Sequence, residues 1–467
     1  MPTRSDPHGG FGRIGVGNAL THMIKGNIGP GCLSFAHAAS QVGLVPSLVL
    51  LAAIVVIALA GWHMVWQCKV HTQASGALTF GDIGERAFGR CGRDMIEFLV
   101  MATQLAVCCV FFSFFAENIE VLPGVGARLT RIPLMLLGLP FFMYVGTLRN
   151  LKVMVPFSMV GNVALAVGFG IVLYYCSYYV AQGEPTAALQ PSIQGYAIFF
   201  GTAVYGLEGV ALILPIENAM TSATRHKFGS VMNWSIATIA TIFVVVIALP
   251  LLSFGYVENA SLTAELKRHF DGPGVVVCNL LLVINVAFTY PLQFAPCFQT
   301  AEQWVLRMAA ERNLRVPFEA TDGEIQPLVD STDPQSDSRT SSADEAMDCG
   351  DSVGAQLPPA CLAKCPCTLS DAVLRHLCTF PWLRLYLVVF TMGVAAVVPN
   401  LGLLIAFFGS LASTSLGLIL PPQMYLKLVP AQTWCSRVVC HAITVIGVLG
   451  ALTGCAASLA EIIKAYE

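Results

Sequence analysis

The sequence predicts an all-α integral membrane protein with about eleven transmembrane helices, the first and sixth of them broken. Three observations predict it. The 467 residues are 55% hydrophobic and only 11% charged, where a soluble chain carries about 25% charged residues. Eleven stretches are apolar enough, and at roughly 20 residues long enough, to cross a bilayer core. Two of those stretches, five apart in order, are interrupted by clusters of glycine.

The spans lie at approximately 14–40, 45–67, 94–121, 131–147, 152–181, 195–219, 229–255, 274–306, 380–399, 401–426 and 434–462. The fourth is short, and the ninth and tenth nearly fuse at Pro399-Asn400. Loop charge sets the orientation. With the N-terminus in the cytosol, nineteen Lys and Arg fall inside and five outside, with Lys25 left within a span. The expected organisation is a cytosolic N-terminus (1–13), helices 1–8 (14–307), a cytosolic loop (308–378) and helices 9–11 (379–467). That loop contains "TDGEIQPLVDSTDPQSDSRTSSADEAMDCGD", which is acidic, rich in Ser, Thr and Pro, and too poor in apolar residues to fold.

Most of the 16 cysteines sit among apolar residues and read as small hydrophobes. Cys176 and Cys278 fall near the outer ends of two helices, where a disulfide is one reading and free thiols the simpler one. "CLAKCPC" (361–367) has the wrong spacing for a zinc finger, and free or palmitoylated thiols remain. Asn259-Ala260-Ser261 is a glycosylation sequon in an outside loop. No cleaved signal peptide, basic nucleic-acid stripe, metal site or cofactor is expected. The partners expected are the lipid bilayer, protons and small neutral amino acids, with no nucleic acid.

The first break is "HMIKGNIGPGC" (22–32), which puts Gly26, Gly29, Pro30 and Gly31 beside Lys25 and Asn27. The second is "GTAVYGLEGV" (201–210), with Gly201, Gly206 and Gly209 around Glu208. Unwound backbone at membrane depth is tolerated only where it lines a cavity or finds partners. Glycine-interrupted spans at matching places in two halves point to a secondary transporter built from inverted repeats. The halves are spans 1–5 and 6–10, with span 11 an addition. Glycine supplies unusual dihedrals and close ligand approach, and Pro30 turns Gly29 away from helical angles. A half-helix starting near Gly31 offers N–H groups and a positive dipole end to a carboxylate. The bland reading, close helix packing, leaves the polar residues of the first cluster unexplained.

The substrate-site candidates are therefore Gly26, Asn27, Ile28, Gly29, Gly31, Thr202, Tyr205, Glu208 and Tyr290. Glu208, an ionisable group inside a span, is costly there and reads as functional, here as a proton carrier. His22 is a second proton-coupling candidate, set against an ordinary hydrogen-bonded histidine at a helix end. Lys25, on the same face, reads as a fixed structural charge beside the break or as a snorkelling lysine. Ser410 and Ser413 join Tyr205 and Tyr290 as candidates to line the cavity, each as readily packing when taken alone. Glu217, at the inner end of span 6, suits a structural or gating role.

These motifs carry a resemblance. "HMIKGNIGPG" (22–31) resembles the first span of the proton-assisted amino acid transporters of the amino acid/auxin permease family. "TLRNLKVMVPFSMVGN" (147–162), "FFGTAVYGLEGVALILPIENAM" (199–220), "FTYPLQFAP" (288–296) and "FGSLASTSLGLILPP" (408–422) resemble its fifth, sixth, eighth and tenth spans in order. The resemblance implies a leucine-transporter-like fold of five plus five inverted helices. It also implies symport of small neutral amino acids with protons, at the plasma membrane or a lysosome-like or vacuolar membrane. Family histidine and glutamate positions important for transport fall on His22 and Glu208. One departure is Pro30, where the family often has Thr. Sodium coupling on the same fold and an amino acid sensor with little transport are the alternatives. An enzyme is disfavoured because His37, His63 and His71 are scattered, and a channel because no continuous polar stripe runs through the spans.

Overall fold

The computed structural model of the chain describes residues 14–72, 79–125, 128–147, 151–183, 186–189, 191–311, 382–398, 400–430 and 432–467. The expected N-terminal segment 1–13 and, beyond Glu311, the expected loop 308–378 lie outside the described residues. The chain divides into two compact units, one of residues 1–303 and 383–467 and one of residues 304–382. Of the second, the described residues are the helical segment 304–311 and Trp382. The first holds the membrane bundle.

Every described span is helical and no strand forms among the described residues, because lipid offers backbone N–H and C=O groups no partner outside the segment itself. Span 1 is α1 (Val16–Asn27), a 3₁₀ turn (Pro30–Ser34) and α2 (Phe35–Ser40). Spans 2 and 3 are α3 (Leu44–Thr72) and α5 (Arg90–Glu120), separated by the short α4 (Phe80–Phe88). Spans 4 and 5 are α6 (Arg131–Gly146) and α7 (Leu151–Gln182). Span 6 is α8 (Ile193–Gly206) followed by α9 (Val210–Ala219), and span 7 is α10 (Phe228–Phe254). A short α11 (Leu262–His269) leads to span 8, α12 (Pro273–Glu311). Span 9 is α13 (Trp382–Val397). Span 10 is α14 (Leu401–Phe408), two π-helical turns (Gly409–Ser413 and Ser415–Ile419) and α15 (Leu420–Leu428). Span 11 is α16 (Trp434–Lys464). The two halves each open with a broken helix, the five-plus-five arrangement that the sequence implies.

Span 6 lies at the centre: 67% of its apolar window is buried, against 22% for span 11 at the periphery. The near-fusion at spans 9 and 10 resolves into two helices. Asn400 caps the second by accepting from the Gly402 N–H at 2.7 Å, a standard N-cap.

Two short helices were not anticipated. The first, α4, starts with a capping box, Thr79 accepting from the Asp82 N–H while Asp82 accepts from the Thr79 N–H. Arg93 pins α4 to α5, donating to Glu85 at 2.8 Å and Glu97 at 2.9 Å. The second, α11, is held by Glu265, which is 1% exposed and accepts from both the backbone and the side-chain amide of Asn259. The sequon is thus engaged rather than presented: the Asn259 amide is in a hydrogen bond and Ser261 is buried. Every described cysteine is a free thiol, Cys176 and Cys278 included.

Glycine sets how closely spans 6, 10 and 11 approach. A Cβ added to Gly409 would lie 2.0 Å from the Gly201 carbonyl oxygen, and one added to Gly201 would lie 2.3 Å from that of Ala406. These neighbours are backbone and cannot yield as side chains do. Gly409→Val should therefore lower thermal stability by about 3 kcal/mol, the upper range for overpacking. A melting curve of the purified protein in detergent checks this; an unchanged midpoint would show that spans 6 and 10 are not locked at this contact.

Candidate functional site

The first break begins where α1 stops. The Ile28 N–H still closes onto the Ile24 carbonyl at 3.0 Å, but Ile28 (φ −100°, ψ 105°) and Gly29 (φ −128°, ψ 179°) are extended. Pro30 then opens the 3₁₀ turn at a position that needs no N–H, which explains how proline is accommodated where the family often has Thr. The glycines were expected to supply unusual dihedrals. They do not: the positive-φ glycines among the described residues are Gly43, Gly89, Gly124, Gly183 and Gly255, none of them in a break. Close approach is their role instead.

The second break is Leu207-Glu208-Gly209, between α8 and α9. The chain turns tightly here, Gly209 donating to the Leu207 carbonyl at 2.9 Å. That turn carries the Glu208 carboxylate, which accepts a hydrogen bond from the Ser413 hydroxyl at 2.7 Å. Thr103 of α5 is a second hydroxyl beside it. Ser413 stands in the π-helical stretch of span 10, and such turns gather at functional sites because they re-aim side chains.

The two breaks meet. A Cβ on Gly209 would fall 2.5 Å from the Asn27 amide nitrogen and 2.6 Å from the Trp62 ring. One on Gly31 would fall 3.2 Å from the Tyr205 ring, and one on Gly26 2.1 Å from Leu212. Gly206 lies likewise against Phe35 and Phe243, whose rings sit 4.5 Å apart. Ile28, Gly29, Tyr205, Gly206 and Glu208 keep partial exposure among buried neighbours, so the junction is not sealed. Asn27 spends its amide N–H on the Met23 carbonyl at 2.9 Å. Its Oδ1 is buried without a hydrogen-bond partner among the described residues, as is Ser34 Oγ in the 3₁₀ turn that follows the break. An unpaired buried polar atom costs about 1–3 kcal/mol, so this junction favours a polar guest.

The structure gathers Gly26, Asn27, Ile28, Gly29, Gly31, Tyr205 and Glu208 but not every candidate. Thr202 is buried, and its hydroxyl donates to the Ile198 carbonyl of its own helix at 3.0 Å. Tyr290 sits in an aromatic cluster with Phe112, Phe142 and Phe294, its hydroxyl 3.5 Å from that of Thr391. It packs spans 3, 4 and 8 together instead of lining the break. His22 and Lys25 are exposed on α1. Lys25 makes no ion pair among the described residues, so it does not clamp the broken helix. Thr103, Trp62 and Phe243 were missed; a lone polar or aromatic residue in an apolar span gives no positional signal.

At the inner end of span 6, Glu217 is 5% exposed and bonds to Lys69 at the end of α3. Lys69 also holds Asn218, and Arg225 approaches Glu217 at 3.4 Å. Ile14, just before α1, pairs with the adjoining loop through the Ala219 carbonyl (2.9 Å) and the Thr221 N–H (3.2 Å).

Two broken helices that meet, with a carboxylate in one of the breaks, suit a membrane transporter. Residues 12–460 match the family of transmembrane amino acid transporter proteins, and the chain belongs to that family. It is 24% identical to amino acid transporter AVT3C of Arabidopsis thaliana over 304 residues, 59% of this chain and 67% of that protein. It is 24% identical to vacuolar amino acid transporter 4 of Saccharomyces cerevisiae over 288 residues, 60% of this chain but 39% of the yeast protein. Among solved structures it is similar to a manganese transporter of Eremococcus coleocola, with a TM-score of 0.41, 12% identity, and 96% and 86% of the two chains covered. The protein is a multi-pass amino acid transporter, not an enzyme.

The geometry separates two glycines that sequence treats alike. Nothing lies within 4 Å of a Cβ on Gly29, and its dihedrals suit any residue. Gly29→Ala should therefore fold and keep its elution profile in size-exclusion chromatography. Gly31→Val should fold as well but lose uptake at least tenfold, because the branched side chain meets the Tyr205 ring. Normal uptake by Gly31→Val would remove the 28–31 break from the site.

Proposed function

We propose that the protein carries small neutral amino acids with protons, binding them between the breaks of spans 1 and 6. The observation that supports this reading most is Glu208, a half-buried carboxylate held by Ser413 at the point where the breaks meet. The substrate carboxylate faces the Gly29 and Gly31 N–H groups, which flank Pro30 at the start of the 3₁₀ turn and have no preceding helical turn to bond to. The ammonium faces Asn27 Oδ1 and the loosened carbonyls of the breaks. Tyr205 and Phe35 border the side-chain space, which favours small residues. Glu208 carries the coupled proton: protonated, it still engages Ser413, since a hydroxyl can donate or accept.

The charge pattern supports an N-terminus in the cytosol. The name of the yeast relative supports a vacuolar or lysosome-like membrane, with protons and substrate leaving the lumen together. In that orientation the Lys69–Glu217–Arg225 cluster and the Ile14 pairing form the cytosolic gate, which breaks and re-forms in each cycle.

The reading is tested by uptake of labelled glycine, alanine, proline and larger neutral amino acids into proteoliposomes. The expected result is accumulation driven by an inward proton gradient in sodium-free buffer; accumulation that needs sodium instead would overturn the proton coupling. In the same assay Glu208→Gln should lose gradient-driven accumulation while keeping exchange of internal for external substrate, since exchange needs no net proton release. Accumulation at the wild-type rate would exclude this carrier.

Breaking the gate has a second signature. Losing the carboxylate leaves Lys69 and Arg225 without their shared partner, at a cost to the closed state. Glu217→Gln should spend that cost on the closed inner gate, raising substrate efflux relative to uptake. An efflux-to-uptake ratio equal to wild type would show that the cluster does not move during transport.

A further inference from the structure

A cleft of about 890 Å³ lies where span 10 ends and span 11 begins, next to α4. Its volume is within the roughly 300–1,000 Å³ of small-ligand sites. Lys427, Arg437 and His441 all line it, and no acidic residue does among the described residues. Arg437 and His441 are one turn apart on α16 and so share a face. Lys427 reaches in from the last turn of α15, with its ammonium 4.8 Å over the Phe88 ring of α4. None of the three side chains makes a hydrogen bond or ion pair with the described residues. Gln423 and Gln432 add amides to the wall; the Gln432 N–H groups are spent on the Tyr425 and Val429 carbonyls, which fixes the turn between the two helices.

Position identifies what such a cleft meets. Trp434, 78% exposed, opens α16, and Val438, Val445 and Leu452 continue its exposed apolar face. That is the lipid-facing side of a span, with its aromatic anchor at the interface. Arg437 and His441 stand within the first two turns of the helix, at headgroup depth. Basic pockets between helices at this level suit phosphate-bearing headgroups, and an Arg fork matches a phosphate bidentately.

We propose that this cleft is a binding site for a phosphate-bearing anion, the headgroup of an acidic phospholipid. It is separate from the substrate junction, sharing no residue with it, and it involves neither break. The chemistry required is a phosphate dianion or diester for Arg437 and Lys427, with acyl chains lying along the apolar face of α16. A bound lipid would join span 11 to span 10 and α4.

The test uses the full-length protein in a neutral detergent with dioctanoyl phosphatidylinositol 4-phosphate, inorganic phosphate and polyglutamate as separate probes, read as shifts in melting midpoint. The lipid should raise the midpoint, because a ligand that binds only the folded state stabilises it. Apparent affinity should fall roughly fivefold for each basic residue removed, and roughly 25-fold in the Lys427→Gln/Arg437→Gln double variant. Arg437→Lys should bind more weakly than wild type, because an ammonium cannot reproduce the fork, but more tightly than Arg437→Gln because the charge is kept; an unchanged melting midpoint without ligand controls for misfolding. A shift given equally by inorganic phosphate and lost in the double variant also supports the anion site and assigns it to the free ion. Equal lipid shifts in wild type and double variant overturn the proposal. No shift from either phosphate compound, or a shift from polyglutamate alone, overturns it as well.

Discussion

The constraint on which the structure depends is that broken helices cannot face lipid. Each break frees backbone groups that hydrocarbon cannot satisfy, so each must be enclosed by protein. The fold meets this by facing the two breaks toward each other at the centre of the bundle. Asn27 sits on Gly209, Tyr205 on Gly31 and Phe35 on Gly206. The continuous helices then enclose this pair, which is why span 6 is so much more buried than span 11.

The same constraint explains the use of polar residues. Buried hydroxyls are mostly spent on their own helices, as with Thr202, Ser235 and Thr391. Two exceptions lie in span 1 on either side of its break: Asn27 Oδ1 and Ser34 Oγ are buried without a partner among the described residues. Glu208 is held to span 10 by Ser413. That link couples the carboxylate to a π-helical stretch, a local change in winding that span 10 makes only at this level. Charges elsewhere stay at the ends of the bundle, where α3, α5 and α9 leave the apolar layer and arginine or lysine meets a carboxylate.

Much of the architecture was legible in the sequence, because lipid allows few solutions. Long apolar stretches had to be helices, and the glycine clusters had to mark breaks. The extent of the second span or the end of the eighth shifted by a few residues, since helices continue past the hydrocarbon layer while composition changes gradually. The short α4 and α11 escaped notice because an amphipathic stretch of eight or nine residues barely differs from a polar loop. At the site, Gly29 and Gly31 were indistinguishable as letters; only the ring of Tyr205, 174 positions after Gly31 in sequence, separates them.

The sequence by itself determined the class: an all-helical membrane protein, the two breaks and the carboxylate within one of them. Those features follow from local composition, and a bilayer reads composition directly. The tertiary structure decided which residues share the junction. It withdrew Tyr290 into an aromatic core and Thr202 into its own helix, gave Lys25 no ion pair among the described residues, and brought Ser413 to Glu208 across 205 positions of chain. Such pairings depend on which face each helix turns inward, and in spans apolar all round the sequence carries almost no signal of that rotation.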